Sequence, residues 1–512
     1  MMAANLTALL PPLSVSGSMV QAANPLDLTH HWAGYLALGI FALAYLIVVF
    51  EEKLHLRKSK PVILAAGLIW ILVAIAYVRA GDTTTAAAAV RGNLAEFAEL
   101  LLFIVVAVTY VNTMEDRGVF DGLRAWLTAR RLSLRALFWL TGLAAFFVSS
   151  QIDNLTTALV FGTVVMTMGR GNPQFIALGC INVVVAANAG GAWSPFGDIT
   201  TLMVWQAGEV GFWQFYRLFV PALVNWLVPA FLMQFALPRT CPTTVIEDVH
   251  IKRGGIAVIA LFATTIVITV AGYNLLKLPP FIGMTTGLGI LKLYSYFLAR
   301  TRPRLPAHLD RALGSLTQPH ITLPREPSMV HAASVAVTTE QFKPDGGWTE
   351  TTHSAAIVTE TPAHPRRYES FDVYAILQRA EWDTLMFFYG IILCVGGLAL
   401  IGYLAHASEL LYLGLGATAA NIMVGLISAV IDNIPVMFAV LNMNPQMDLT
   451  QWLLVTMTAG VGGSLLSVGS AAGVALMGHA RGHYTFGKHL RWTWAIALGY
   501  AASIWVHLLV NG

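Results

Sequence analysis

The sequence predicts an all-α polytopic membrane protein built from two inverted repeats, each with a re-entrant helical hairpin and a broken transmembrane helix. Three observations carry that expectation. Of 512 residues, 56% are hydrophobic and 11% charged, with a mean hydropathy of +0.67; a soluble domain carries about 25% charged residues, so most of this chain belongs in lipid. A polar unit, SSQIDNLTTALV (Ser149–Val160), sits in an apolar stretch and has a counterpart in ISAVIDNIPV. Asp153–Asn154 and Asp432–Asn433 each follow a serine, Ser149 or Ser428, placed four positions before the acid. Each unit is followed by a glycine-interrupted apolar segment: NAGGAWSPFGDITTLMV from Asn188, and AGVGGSLLSVGSAAGVAL from Ala459. Aligned on their glycine pairs, Gly190–Gly191 match Gly462–Gly463, Gly197 matches Gly469, and Asp198 falls opposite Ser470. Corresponding interrupted segments in two halves of a membrane chain point to a duplicated ion or substrate site.

Residues 1–31 read as an N-terminal tail, signal-like in its small and apolar residues but lacking a basic start, and expected outside. The first span, about 32–50, runs into the basic loop EEKLHLRKSK, which the positive-inside rule places in the cytoplasm. A second span, about 62–77, returns to an outer loop, RAGDTTTAAAAVRGN. The third, about 94–111, carries Glu96, expected to cap its start, and Glu99 one turn deeper, a candidate proton carrier. The segment 117–135 is amphipathic and basic and is expected flat on the cytoplasmic face. Together, 32–133 form the first scaffold part.

Residues 134–210 are the first transport unit. The apolar arms beside Asp153, about 134–148 and 155–168, are shorter than the ~20 residues of a full span. A re-entrant hairpin with its tip at Ser149–Thr157 accounts for both the short arms and the polar tip. The segment from about 175 to 206 is one span interrupted at GGAWSPFGD, where glycines and Pro195 free backbone groups at mid-membrane. Residues 211–298 supply further scaffold spans, at about 215–235, 256–271 and 280–298. Residues 299–370, rich in Pro, Thr, His and charge, are expected to form a largely disordered cytoplasmic linker. Then come a span within 371–409, the second transport unit at 410–480, and a last span within 481–512.

Treating both hairpins as re-entrant puts the basic segments 53–60, 117–135, 239–253, 300–367 and 481–491 on one side, with both termini outside. It also gives the hairpins opposite entry faces, as inverted repeats require. The net charge of +3 says little by itself. Cys180, Cys241 and Cys394 lie far apart, offering neither a disulfide framework nor a zinc site. No HExxH or GxSxG occurs, and the close pair His479 and His483 falls on a basic loop, so no enzyme is expected.

Two hairpin tips and two interrupted spans bring together Asp153, Asn154, Asn188, Asp198, Thr200, Thr201, Asp432, Asn433, Ser467 and Ser470. Hard oxygen ligands suit a small hard cation, expected at Asp153, Asp198 and Asp432. Ser149, Ser150, Thr156, Thr157 and Ser428, with Glu99, are candidates for a proton or cation pathway. Burial favours the neutral form of a carboxylate and a bound cation the ionised form, so proton and cation compete for such a site. Acids without Lys or Arg beside them disfavour a carboxylate or phosphate substrate.

The stretch NAGGAWSPFGDITTLMVWQAG (188–208), with QIDNLTTAL (151–159), VIDNIP (430–435) and EEKLHLRKSKP (51–61), resembles the NhaD-type sodium/proton antiporters. These belong to the Ion Transporter superfamily, with arsenite, citrate and dicarboxylate carriers. The likeness covers roughly residues 30–510 and excludes the tail and the 299–368 linker. It implies export of cytoplasmic Na⁺ or Li⁺ in exchange for external protons, in a bacterial inner membrane. It further implies a homodimer with elevator motion of a transport domain against a scaffold domain, and a cation site at the hairpin and broken-span residues named above. It also implies a need for Glu99, which lies in AEFAELLLF. Na⁺ or Li⁺ and H⁺ are then substrates, the bilayer is a partner, and neither cofactor nor nucleic acid is expected. The alternative on the same fold is a sodium-coupled anion symporter of the dicarboxylate or citrate type.

Overall fold

The fold is described from a computed structural model, over residues 26–50, 54, 56–128, 133–238, 251–300, 335–342, 348–355 and 382–512. The expectations for residues 1–25, for 239–250 and for 301–334, 343–347 and 356–381 of the linker region lie outside the described residues.

The chain divides into two units. Most of it, including every element up to Leu291 and everything from Ala375 onward, forms the first. Its first helices are α1 (Trp32–Val49), α2 (Ser59–Arg79) and α3 (Thr85–Asp116). The amphipathic α4 (Val119–Thr128) follows. The first hairpin is α5 (Leu134–Ser149) and α6 (Asn154–Met168), and the interrupted span is α7 (Pro173–Gly191) and α8 (Ile199–Gln206). Then come α9 (Phe219–Met233), α10 (Gly255–Leu276) and α11 (Pro280–Arg300). After the linker region, α12 (Trp382–Ile401) and the short α13 (Tyr403–Ser408) lead to the second hairpin, α14 (Ala417–Ser428) and α15 (Asn433–Met443). The second interrupted span is α16 (Leu449–Gly462) and α17 (Ala471–His479); α18 (Phe486–Leu490) and α19 (Thr493–Asn511) end the chain.

Among the described residues, eight helical segments are long and apolar enough to cross a membrane. The four hairpin arms, of 16, 15, 12 and 11 residues, fall in the shorter apolar class. At 1.5 Å per residue, none reaches across the ~30 Å hydrocarbon layer. The protein is a multi-pass, helical membrane protein.

One boundary differs from expectation. α3 runs for 32 residues from Thr85, not from about residue 94, so the outer connection shrinks to residues 80–84. The cause is local: four alanines at 86–89 are the best helix formers, and polar threonines ahead of them do not require a loop. Asp82 sets the start by accepting hydrogen bonds from the backbone N–H of Thr84 (2.8 Å) and Thr85 (3.0 Å).

α2 packs on α1 and α12, and α3 on α12 and α10. Trp70 of α2 donates its indole N–H to the Leu393 carbonyl of α12 at 2.9 Å, deep in that interface. Tyr110 of α3 reaches Thr265 of α10 and the Gly287 carbonyl of α11, both at 2.8 Å. α5 and α6 pack on α7, and α14 packs on α16. α9 packs on α7 and α19. α7 is buried almost throughout, from Phe175 to Gly191, although its sequence would pass for a lipid-facing span.

The two pairings of hairpin with interrupted span make the same contacts at corresponding positions. Ser149 donates to the Ala187 carbonyl at 2.6 Å, and Ser428 to the Ala459 carbonyl at 2.7 Å. Gly190 faces the Phe146 carbonyl and Gly462 the Gly425 carbonyl, so a Cβ at either would overlap backbone oxygen. Gly197 and Gly469 abut the carbonyls of Ser149 and Ser428 in the same way. The glycines are there because each interrupted span crosses its hairpin backbone to backbone, a separation only hydrogen side chains permit.

The second unit covers residues 292–374 and contains an antiparallel pair, β1 (Val335–Phe342) and β2 (Trp348–Ala355), in register from Val335 opposite Ala355 to Phe342 opposite Trp348. These two strands fall within the 299–370 linker region. Their residues explain them: VAVTTEQF and WTETTHSA are rich in β-branched side chains, which favour a pleated strand.

Candidate functional site

Four helices begin in one buried cluster. Asp153, Asp198 and Ser470 accept hydrogen bonds from the backbone N–H groups of the α6, α8 and α17 first turns, and Asp432 stands at the same position before α15. The interrupted spans reach this point because residues 192–198 and 463–470 leave the helix. In the second interruption Ser467 sits at φ +59°, a left-handed turn that a serine rarely adopts.

Asp198 is the hub. It is 6% exposed, and its Oδ2 accepts from the side-chain amides of Asn433 at 2.8 Å and Asn154 at 3.3 Å. Asparagines from both hairpin tips therefore meet on one carboxylate oxygen. The Thr200 N–H approaches Oδ1 at a long 3.4 Å. Thr201 donates to the carbonyls of Asp198 (2.7 Å) and Ser194 (2.9 Å), pinning the interruption in place. The Thr200 hydroxyl oxygen is buried with no hydrogen-bond partner. A buried polar atom left unsatisfied calls for a reason; beside the Asp198 carboxylate, it is a hard oxygen available to a cation.

Asn188 extends the cluster into the second repeat. Its Oδ1 accepts from Asn154 and from Ser470, both at 3.1 Å, and its Nδ2 donates to Ser470 at 2.9 Å and to Ser464 at 2.8 Å. The position matching Asn188 in the second half is Gly460, whose Cα faces the Asp198 and Thr200 side chains. The two halves are therefore asymmetric here: an asparagine stands in one and a glycine at the matching position of the other.

The structure brings together Asn154, Asn188, Asp198, Thr200, Thr201, Asn433 and Ser470 from the expected set. It places the others differently. Asp153 turns to its own helix, its oxygens accepting from the Thr156 N–H and hydroxyl, both at 2.8 Å. The Asp432 Oδ1 is buried without a partner, and the residue lies beside Tyr45 of α1, outside the cavity that the other two acids line. Among the described residues no three His, Cys, Asp or Glu side chains gather as a metal cluster. Ser467 donates to the Met477 sulfur at 3.7 Å rather than entering the site. Ser464, which the sequence reading missed, takes its place; Asn188 reaches across to it, and no spacing rule flags that contact. Ser149 and Ser428 fasten hairpins to interrupted spans, Ser150 donates to the Phe147 carbonyl, and Thr157 makes only a 3.4 Å contact with the Ile152 carbonyl. Glu99 stands one turn before Phe103, the first residue of α3 to line the cavity, and does not line it.

That cavity has a volume of about 500 Å³. Asp153, Asn154, Asp198 and Asn433 form its inner end. Phe103 of α3, Phe262 of α10 and Phe388 of α12 supply the facing wall. It reaches the surface at Glu115, Asp121 and His479, all exposed, next to the basic segments 117–135 and 481–491.

The chain is similar to known proteins over nearly its whole length. A family model described as "Citrate transporter" matches residues 45–301 and 363–460. The Na⁺/H⁺ antiporter NhaD of Alkalimonas amylolytica is 51% identical over 490 residues, covering 96% of this chain and 93% of that protein. The Na⁺/H⁺ antiporter NhaD of Vibrio cholerae serotype O1 is 49% identical over 98% of this chain and 97% of its own length. That of Halomonas elongata is 49% identical over 98% of this chain.

Proposed function

The chain belongs to the NhaD family of Na⁺/H⁺ antiporters, and from that premise we propose that it exchanges cytoplasmic Na⁺ or Li⁺ for external protons, with Asp198 as the group on which cation and proton alternate. The observation that carries this reading is the environment of Asp198. Its carboxylate is buried and held by two asparagine amides, and among the described residues no Lys or Arg contacts it, which favours a cargo that brings the positive charge. A carboxylate so placed is neutralised by a proton or compensated by a cation, and binding either one displaces the other. Thr200 and the carbonyls freed at 192–198 supply further hard oxygens near the ion.

The cavity supports access from the cytoplasm. It runs from Asp198 to the end of the molecule that carries two basic segments, and basic segments stay inside. Its walls alternate between hairpin-bearing elements (α6, α8, α15, α17) and the α3, α10, α12 group, as expected where a transport domain slides against a scaffold. We place the protein in the bacterial inner membrane as a homodimer working by an elevator motion, with inverted repeats and both termini outside.

Sodium-coupled anion symport is the second reading, favoured by the description of the matching family model and by four helix N-termini at one point. Three of those four N-termini carry an Asp, which opposes an anion there. Reconstituted vesicles with an imposed pH gradient separate the two. Na⁺ or Li⁺ dissipating the gradient, with no response to a dicarboxylate, is the antiporter result. A response only when dicarboxylate and Na⁺ are both present overturns it.

A further inference from the structure

A buried histidine outside the cluster holds one of its walls. His489, in the short α18 between the last two spans, is 0% exposed. Its Nε2 lies 2.8 Å from the Ser464 carbonyl oxygen, and its Nδ1 lies 2.9 Å from the Tyr484 hydroxyl. A carbonyl only accepts, so Nε2 carries the proton, and Nδ1 accepts from the Tyr484 O–H. Ser464 lies at the start of the second interruption, just after Gly463, and its hydroxyl accepts from Asn188, whose Oδ1 accepts from Asn154, a donor to Asp198. The next carbonyl, of Leu465, accepts from the Thr493 hydroxyl at 2.8 Å. A non-helical segment inside the membrane-spanning core thus has two consecutive carbonyls satisfied from the 484–493 connection.

We propose that His489 is a positioning residue for the ion site: as the neutral Nε2–H tautomer it fixes the Ser464 peptide, and through Asn188 it sets the geometry around Asp198. The inference rests on the antiporter reading and goes beyond it, since His489 touches neither the cavity nor the cargo. Burial lowers its pKa to about 4, against the opposing pull of the Ser464 carbonyl, so the ring stays neutral at any pH where a cell lives. Its role is therefore one of hydrogen bonding, and the titratable side chain in contact with it is the Tyr484 phenol. Groups that orient the residues around an ion typically change affinity about 10- to 100-fold when lost. A glutamine amide can donate to the same carbonyl; an alanine cannot.

The test is Na⁺-evoked proton flux in vesicles containing the full-length protein, read as half-saturating Na⁺ and maximal rate. In H489A, half-saturating Na⁺ rises about tenfold with the maximal rate per folded protein within about twofold, and H489Q restores it to within about threefold. If H489A does not accumulate in the membrane, Y484F, which removes the hydrogen bond that holds the ring at Nδ1 and so loosens its grip on the Ser464 carbonyl, raises half-saturating Na⁺ severalfold. The pH profile of H489Q overlays that of the wild type between about pH 6 and 9, because a neutral ring has nothing to titrate there. Unchanged half-saturating Na⁺ in H489A, or in Y484F where that stands in, overturns the inference; so does failure of H489Q to restore it, or a displaced pH profile in H489Q. A wild-type protein that does not respond to Na⁺ or Li⁺ overturns the antiporter reading instead.

Discussion

Asp198→Asn is the substitution that isolates the carboxylate from its architecture. Asparagine has the same shape, and its carbonyl oxygen can take the amide hydrogen bonds of Asn154 and Asn433 that Oδ2 takes now, at 3.3 and 2.8 Å. The exchange of charged for neutral acceptors costs about 1–2 kcal/mol of hydrogen bonding, small against a typical stability of about 5–15 kcal/mol. What disappears is the negative charge. Two unit charges about 4 Å apart at an effective dielectric of about 20 attract by about 4 kcal/mol. At 1.4 kcal/mol per decade, that is nearly a thousandfold in cation affinity. The variant also has no carboxylate on which to return a proton. Asp198→Asn therefore reaches the membrane at wild-type levels, elutes as the wild-type oligomer, and loses at least about 100-fold of its Na⁺-evoked proton flux in vesicles. Flux above half the wild-type value, with half-saturating Na⁺ within about threefold, would refute the assignment.

Three other outcomes follow from contacts already described. Ser149→Ala and Ser428→Ala each remove one hydroxyl–carbonyl clamp of the same kind, so each lowers stability by about 0.5–1.5 kcal/mol in detergent thermal unfolding, and the two shifts match. Gly190→Ala and Gly462→Ala drive a methyl into backbone oxygen and cost about 1–3 kcal/mol or more, read as lost folded yield, whereas Gly67→Ala, with open space around it, is neutral. Hydrogen bonds from Thr85 and Thr84 hold the Asp82 carboxyl below the usual carboxylate range. The start of α3 is therefore most stable above about pH 4 and weakens as acid protonates Asp82, an acid limb that Asp82→Asn removes from a thermal-stability profile.

Much of the site was legible because its chemistry is extreme. Asp and Asn in apolar sequence cannot face lipid, and Gly190, Gly197, Gly462 and Gly469 are spaced by the close crossings they permit. The hairpin arms were legible through their length alone. The rest depends on side-chain direction, which periodicity does not encode. Asp432 and Asp153 occupy equivalent positions, yet one lies beside α1 and the other lines the cavity. Ser467 and Ser464 lie three positions apart, and the positive φ at Ser467 helps decide which faces Asn188. α9 has an ordinary lipid-span sequence, and nothing in it announces that it packs on α7 and α19. α3 grew because an alanine run outside the hydropathy peak is still good helix.

The central claim is that cation and proton exclude each other at Asp198. It is tested most directly by adding NaCl or LiCl to the purified protein in weakly buffered detergent solution and recording proton release while binding is followed in parallel. Release that saturates with Na⁺, diminishes as the starting pH rises, and is absent in Asp198→Asn is the predicted result. Na⁺ binding without proton release, or release undiminished in Asp198→Asn, would contradict it.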